Sequence, residues 1–234
     1  MKTSNLLLLV LFVISVSFIS AIPLVVNMKL KGRDFEKDAD AGRYDHRKFG
    51  AIKFVALKGL TNAVLIPSDS VEVEVETSQR ESIVATRSGD TLFITNRSKT
   101  IIAANTPTCK VYLPVVEHIT CSDSRIELRG SVAPEWGRSY DLDLVNSQLV
   151  IQGRAARLAP FRQFFNQLVI TGTDSSGISL SSQVGIRRLD LINVRNTLIN
   201  GSSVDIEAIT TTFDPKAVVK MKSVRGVVEI SAER

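Results

Sequence analysis

Residues 140–151 read YDLDLVNSQLVI, and residues 168–191 read LVITGTDSSGISLSSQVGIRRLDL. Within both stretches short runs alternate apolar with polar residues, and Asn, Gly, Ser and Asp separate the runs. Alternation with a period of two is typical of β-strands that bury one face. Apolar positions such as Leu128, Leu149, Leu168 and Leu189 return about every twenty residues, a spacing typical of stacked coils. The pattern predicts an all-β protein built as a single-stranded β-solenoid, preceded by a few irregular or antiparallel strands.

The composition fits one aliphatic domain. The chain has 234 residues, of which 44% are apolar and only 6% aromatic. Its net charge of +5 permits an anionic partner without requiring one. Because no dense run of Lys and Arg is interleaved with aromatic residues, we expect no nucleic-acid binding.

The N-terminal segment predicts contact with a membrane. Residues 6–26 carry no charge and are long enough to cross a bilayer as a helix. Residues 1–28 are therefore expected to form a transmembrane anchor, with a cleaved signal peptide ending near Ala21 as the alternative. The highly charged residues 29–48 are expected to be a solvated tether, and residues 49–234 the folded domain.

Several motifs resemble those of the head-GIN domain family. They are F-x-x-I at residues 49–52, the alternating strand at 71–75, G-D-T-L-x-I at 89–94, and V-Y-L-P-x-V-x-x-I at 111–119. The family consists of extracytoplasmic bacterial proteins grouped with auto-transporter adhesins, many of them from Bacteroidetes. The resemblance implies a right-handed parallel β-solenoid located outside the cytoplasm, in the periplasm or at the cell surface, or secreted if the N-terminal segment is cleaved. It implies no catalytic residues.

Two loops are the best candidates for ligand binding. Both combine arginines with aromatic rings, the groups that bind anionic ligands and stack on sugar rings. The alternative is that the aromatic rings fold back and cover the edge of the domain. The candidate residues of the first loop are Trp136, Arg138 and Tyr140, and those of the second are Arg154, Arg157, Phe161, Arg162, Phe164 and Phe165.

The remaining reactive residues predict little chemistry. Cys109 and Cys121 are the only cysteines, and they form either one disulfide or two separate buried thiols. With His46 assigned to the tether and His118 as the only other histidine, we predict no metal site and no cofactor.

The function predicted from the sequence is binding or cell-envelope structure without catalysis, with a glycan or an envelope protein as partner. One alternative is an enzyme acting on acidic polysaccharide through a row of outward carboxylates: Glu127, Asp143, Asp190 and Asp205. A second alternative is a structural spacer that associates with itself through exposed end strands.

Overall fold

A computed structural model describes residues 43–98, 107–132, 135, 137–155, 160–173, 175–181, 183–194, 196–200, 204–213, 218–222 and 225–232. The chain divides into two compact units, Met1–Tyr44 and Asp45–Arg234, and the fold that follows belongs to the second. None of the described residues belongs to a helix that is both long enough and apolar enough to span a bilayer. The predicted anchor at residues 1–28 lies outside the described residues.

The described regular structure is almost entirely strands, with a short 3-10 helix at Thr77–Gln79. The strands are β1 Tyr44–Phe49, β2 Phe54–Lys58, β3 Ala63–Pro67, β4 Val71–Glu76, β5 Ile83–Ser88, β6 Thr91–Asn96, β7 Cys109–Leu113, β8 His118–Ser122, β9 Arg125–Leu128, β10 Arg138–Val145, β11 Gln148–Gln152, β12 Arg154–Ala155, β13 Pro160–Phe161, β14 Gln163–Thr173, β15 Gly177–Ser181, β16 Val184–Ile192, β17 Asn196–Asn200, β18 Val204–Phe213, β19 Val218–Lys222 and β20 Arg225–Ala232.

Two nine-stranded sheets contain all of these strands except β12 and β13. The first sheet has the order β1-β4-β7-β3-β9-β11-β15-β17-β19, and the second has the order β20-β18-β16-β14-β10-β8-β2-β6-β5. Both sheets are mixed. The pairs β4–β7 and β5–β6 are antiparallel, whereas the pairs from β8 and β9 onward are parallel. The strands β12 and β13 form a small antiparallel hairpin of their own.

This architecture corrects the predicted single-stranded parallel β-solenoid. The all-β content was predicted, but the strands form two mixed sheets. The counted repeat was misleading because it treated Leu149 and Leu168 as equivalent, although they lie in opposite sheets. Leu149 pairs with Ile178 in the first sheet, and Leu168 pairs with Leu189 in the second. The inserted β12–β13 hairpin lengthens the connection between β11 and β14, which hid this difference from a simple count.

Alternation along the strands builds the core. In β10, for example, Tyr140, Leu142 and Leu144 are buried while Asp141 and Val145 are exposed. One contiguous cluster collects the inward Leu, Ile and Val side chains of both sheets. The core is aliphatic, as the composition predicted. Residues that point outward from each sheet are mostly polar.

The turns between the sheets are stabilised by a column of buried serines. Ser124 and Ser147 each follow a turn residue with positive φ, Asp123 and Asn146. The amide of Ser124 donates to Ser147 Oγ at 3.1 Å, and the amide of Ser147 donates to Ser176 Oγ at 3.4 Å. Asparagine and aspartate tolerate positive φ better than other residues with a side chain, which explains how these turns form with few glycines.

Replacing Ser147 with alanine should lower the free energy of unfolding by about 1–3 kcal/mol. The change removes the acceptor of the buried Ser124 amide, and it removes a hydroxyl that lies 2.8 Å from the Val145 carbonyl oxygen. The matched control is Ser175→Ala, which removes an exposed hydroxyl bonded to Asn146. Urea denaturation should place the control within about 0.5 kcal/mol of the wild type. Equal losses in the two variants would contradict this role for the buried column.

The folded unit begins inside the segment predicted to be a tether. The strand β1 covers Tyr44–Phe49, and the second compact unit starts at Asp45. His46 is therefore part of a strand, a position that brings it close to other titratable groups, as described below.

Candidate functional site

Arg138, one of the predicted binding residues, is hydrogen-bonded to two turns. Its Nη1 donates to the carbonyl oxygens of Ser68, at 2.7 Å, and Leu113, at 3.0 Å. Its Nη2 lies 3.2 Å from Asp69 Oδ1. These three hydrogen bonds connect β10 to the turns after β3 and β7, so the guanidinium has a structural role.

Tyr140 and Phe165 belong to the core. Both rings are buried, and they meet edge to face with their centroids 6.2 Å apart. Gly130 packs tightly against the Phe165 ring. A Cβ at this position would lie only 2.8 Å from Phe165 Cε2 and from the Phe164 carbonyl oxygen. Both rings therefore pack inside the domain, between interior strands of the second sheet.

The other predicted loop residues are only partly described. Trp136 and Arg157 lie outside the described residues. Arg154 and Phe161 pair with each other in the β12–β13 ladder. Arg162, Phe164 and Phe165 follow that hairpin directly, and Arg162 and Phe164 reach the surface described next.

A β-bulge is aligned across three neighbouring strands of the second sheet. In β14, β16 and β18 the ladder skips one residue on each strand, namely Asn166, Arg187 and Glu207. The register shifts at the flanking pairs, β10–β14 and β18–β20, where the bulge ends. All three bulged residues are exposed. Bulges redirect side chains and are common beside binding sites.

The bulged side chains contact one another across the strands. Arg187 Nη1 donates to Asn166 Oδ1 at 3.3 Å, and Arg187 Nε lies 3.6 Å from Glu207 Oε2. Such exposed ion pairs contribute little to stability. A ligand could therefore replace the partners of Asn166, Arg187 and Glu207 at little cost to the fold.

A second row lies beside the bulge, where Phe164, Gly185 and Asp205 are aligned. Because Gly185 has no side chain, the guanidinium of Arg162 reaches across it to form an ion pair with Asp205. The same guanidinium lies 5.7 Å from the centroid of the Phe164 ring. A Cβ on Gly185 would approach Phe164 Cδ1 to 2.9 Å, so the glycine also makes room for the ring.

Together the two rows form a groove of about 290 Å³, which we call the bulge groove. Its volume is near the lower end of small-ligand sites, about 300–1,000 Å³. Two arginines face two carboxylates in it, so the charges balance. Arg162 Nε is buried and has no hydrogen-bond partner among the described residues. The groove is lined by Arg162, Phe164, Phe165, Asn166, Gly185, Ile186, Arg187, Asp205 and Glu207.

Three of the predicted binding residues line the groove: Arg162, Phe164 and Phe165. Asp205 was considered only as part of a carboxylate row, and the remaining lining residues were not predicted. The signal was present in the spacing of apolar residues, which changes from two to three at the same place in each strand. It does so at Phe165 to Leu168, at Ile186 to Leu189 and at Ile206 to Ile209. A repeated break in alternation indicates an aligned bulge.

The carboxylates considered for an enzyme are dispersed. Glu127 lies on the first sheet, whereas Asp143, Asp190 and Asp205 lie on the second. Each has its own cationic or imidazole neighbour, such as Arg129 for Glu127 at 3.1 Å and Arg188 for Asp190 at 2.9 Å. The four do not line one groove, so their arrangement gives no support to a lyase mechanism.

Cys109 and Cys121 are buried free thiols on opposite sheets. Burial raises the pKa of each thiol from 9.0 to about 12, and the charges of Glu74 and Asp143, respectively, add to the shift. A thiol with so high a pKa is a poor nucleophile, which sets both cysteines apart from any reactive site.

Comparison with known proteins gives distant likenesses only. No family model and no curated protein matches the chain, so the head-GIN resemblance stays a prediction. Among solved structures, a "putative adhesin" from Bacteroides fragilis NCTC 9343 is 10% identical, with a TM-score of 0.42, covering 82% of this chain and 98% of its own. A "putative lipid binding protein" from Parabacteroides distasonis ATCC 8503 is 13% identical, with a TM-score of 0.33, covering 83% and 98%. Likeness at this level carries no argument about function.

Proposed function

We propose that this chain is a non-catalytic binding module that recognises a short glycan segment in the bulge groove. The observation that carries the proposal is the lining of the groove, where the Phe164 ring lies beside two ion-paired arginines, Arg162 and Arg187. An extracytoplasmic location remains a prediction of the sequence.

The groove has the mixed chemistry that sugars require. The Phe164 ring offers an apolar surface to ring C–H groups. Around it Asn166, Arg187, Asp205 and Glu207 supply both donors and acceptors for hydroxyl groups. The aligned bulge holds the three outermost side chains on neighbouring strands, so ligand binding requires little ordering of the backbone.

The balance of charge selects among glycans. Arg162 is already paired with Asp205, and Arg187 with Glu207. A polyanion would have to displace these carboxylates, whereas a neutral or zwitterionic sugar would add to the existing network. Binding should therefore depend weakly on salt, unlike binding to an array of free cations.

The test is a screen of the full-length chain, in detergent, against neutral, zwitterionic and acidic glycans at low and high salt. We expect a neutral or zwitterionic hit whose affinity falls at least about tenfold in Arg187→Ala, because its guanidinium connects both neighbours of the row. The control is Arg125→Ala, an exposed arginine on the first sheet, which should bind as the wild type does.

Two results would overturn the proposal. One is the absence of any glycan hit at millimolar concentration from a chain whose circular dichroism and thermal unfolding show that it is folded. The other is a hit that Arg187→Ala and Arg125→Ala weaken equally. Selective capture of an envelope protein through Arg187, with no glycan bound, would replace the glycan by a protein partner.

A further inference from the structure

Three metal-ligating side chains converge on the outward face of the first sheet, far along the chain from the bulge groove. His46 Nδ1 lies 3.3 Å from Glu72 Oε1 and 3.2 Å from Glu74 Oε1. All three atoms lie within 4.8 Å of one another. His46 belongs to β1, which neighbours β4, and the alternation of β4 places Glu72 and Glu74 on the same face.

The convergence leaves room for a cation. Both carboxylate oxygens approach one ring nitrogen, and a single N–H at Nδ1 can be donated in full to only one of them. A metal ion between the three atoms would satisfy all of them. Ligand atoms bound tetrahedrally at about 2.0–2.1 Å are separated by roughly 3.3 Å, which agrees with the two distances from His46.

A residue of the neighbouring strand β7 also holds one of the three ligands in place. Glu74 is 3% exposed, which is unusual for a carboxylate on an outward face. Lys110 of β7 lies opposite Glu74 in the antiparallel ladder, and its Nζ is 3.5 Å from Glu74 Oε2. Lys110 thus orients the carboxylate through one oxygen and leaves the other, Oε1, facing His46.

We propose that His46, Glu72 and Glu74 bind a divalent transition-metal ion, with zinc as the ion best suited to one imidazole and two carboxylates. Imidazole favours transition metals over calcium and magnesium, and zinc binds such sites more tightly than manganese or ferrous iron. Because the His46 side chain is partly exposed to solvent, a water molecule can fill the fourth coordination position of the metal. The site joins β1 to β4, so zinc would also stabilise this edge of the sheet.

His118 provides an internal contrast. It also has two carboxylate neighbours, but Asp141 Oδ2 lies 3.4 Å from Nδ1 and Asp143 Oδ2 lies 3.1 Å from Nε2. The two carboxylates approach different ring nitrogens, so they do not share one ligand atom of His118 as Glu72 and Glu74 share Nδ1 of His46. The chain has only these two histidines, which makes them a matched pair.

The experiment is a calorimetric titration of zinc chloride into the full-length chain, purified without a histidine tag and treated with a chelator. We expect one zinc ion per chain, an affinity reduced at least about tenfold in His46→Ala, and an unchanged affinity in His118→Ala. Zinc should also raise the thermal unfolding midpoint of the wild type and of His118→Ala but not of His46→Ala.

A second variant separates loss of a ligand from loss of the fold. Glu72→Gln keeps the shape of the side chain but removes its charge, and it should weaken zinc binding while leaving the metal-free unfolding midpoint near that of the wild type. No zinc binding at millimolar concentration, or binding that His46→Ala and Glu72→Gln leave intact, would overturn the proposal. Equal loss in His46→Ala and His118→Ala would overturn it as well.

Discussion

Replacing Leu144 with alanine should lower the free energy of unfolding by about 2–5 kcal/mol. The side chain is 1% exposed and points from the central strand β10 into the common core. Leucine-to-alanine changes at such sites lose the transfer free energy of three carbon atoms and leave a cavity that a close-packed interior fills only partly. Parallel strands β8 and β14 hold β10 on both sides, so its backbone has little freedom to close the gap.

The neighbouring residue provides the control. Val145 is 36% exposed on the opposite face of the same strand, so Val145→Ala should change the free energy of unfolding by less than about 1 kcal/mol. Urea denaturation followed by circular dichroism measures both. A smaller loss in Leu144→Ala than in Val145→Ala would mean that the faces of β10 are assigned the wrong way round.

Alkaline pH should destabilise the protein through its two cysteines. Burial holds the pKa of Cys109 and Cys121 at about 12, against 9.0 for an unperturbed thiol. Because the folded pKa is the higher one, the thiols contribute fully to stability below pH 9 and lose that contribution as the pH rises towards 12. Within this window the unfolded state releases protons that the folded state retains. The free energy of unfolding should fall by on the order of 1 kcal/mol per pH unit for each thiol.

The measurement is urea denaturation at pH 7, 9, 10 and 11 in the presence of a reductant. Lysines and tyrosines also titrate in this range, so the informative quantity is the difference between the wild type and a Cys109→Ala, Cys121→Ala double variant. The variant has a lower stability at pH 7 because of the cavities it creates, but its stability should fall less steeply above pH 9. Parallel profiles would show that the thiols do not resist ionisation in the folded state.

Local structure was predictable because it depends on alternation alone. The runs around Leu142, Leu149, Leu168, Ile178 and Leu189 are strands, and each of these side chains is buried. The period of two assigns a face to each residue without knowledge of the partner strand. Some polar residues between the runs occupy turns, and Asn146 and Asn193 there have positive φ values of 48° and 55°.

Strand pairing was not predictable in the same way, because it depends on which apolar runs share a sheet. Ile178 pairs with Thr197, although matching apolar residues by their spacing would pair it with Leu198. A shift of one residue in the pairing moves every side chain of a strand to the other face. Antiparallel strands were expected early in the chain, but the sequence did not indicate which strands would pair. A two-residue turn that includes Gly89, with φ of 59°, joins β5 to β6 as an antiparallel hairpin. Such a hairpin depends on the local turn and cannot be read from the length of a repeat.

The candidate sites were predicted in part for a similar reason. The second loop was chosen for its arginines and rings, and three of them, Arg162, Phe164 and Phe165, line the bulge groove. Their partners Gly185, Arg187, Asp205 and Glu207 come from two later strands and are brought together only by the pairing of β14, β16 and β18. His46 was likewise assigned to a tether because its partners, Glu72 and Glu74, lie on another strand.

The central claim is that the bulge groove is the binding site, and Phe164 tests it most directly. The measurement is a calorimetric titration of the best glycan from the screen into Phe164→Ala and, as a control, into Phe54→Ala, which removes an exposed ring elsewhere on the same sheet. We predict that Phe164→Ala loses at least about tenfold in affinity, because a stacked ring contributes on the order of 1 kcal/mol beyond the area it buries, whereas Phe54→Ala binds as the wild type does. Equal affinities for the two variants would contradict the claim.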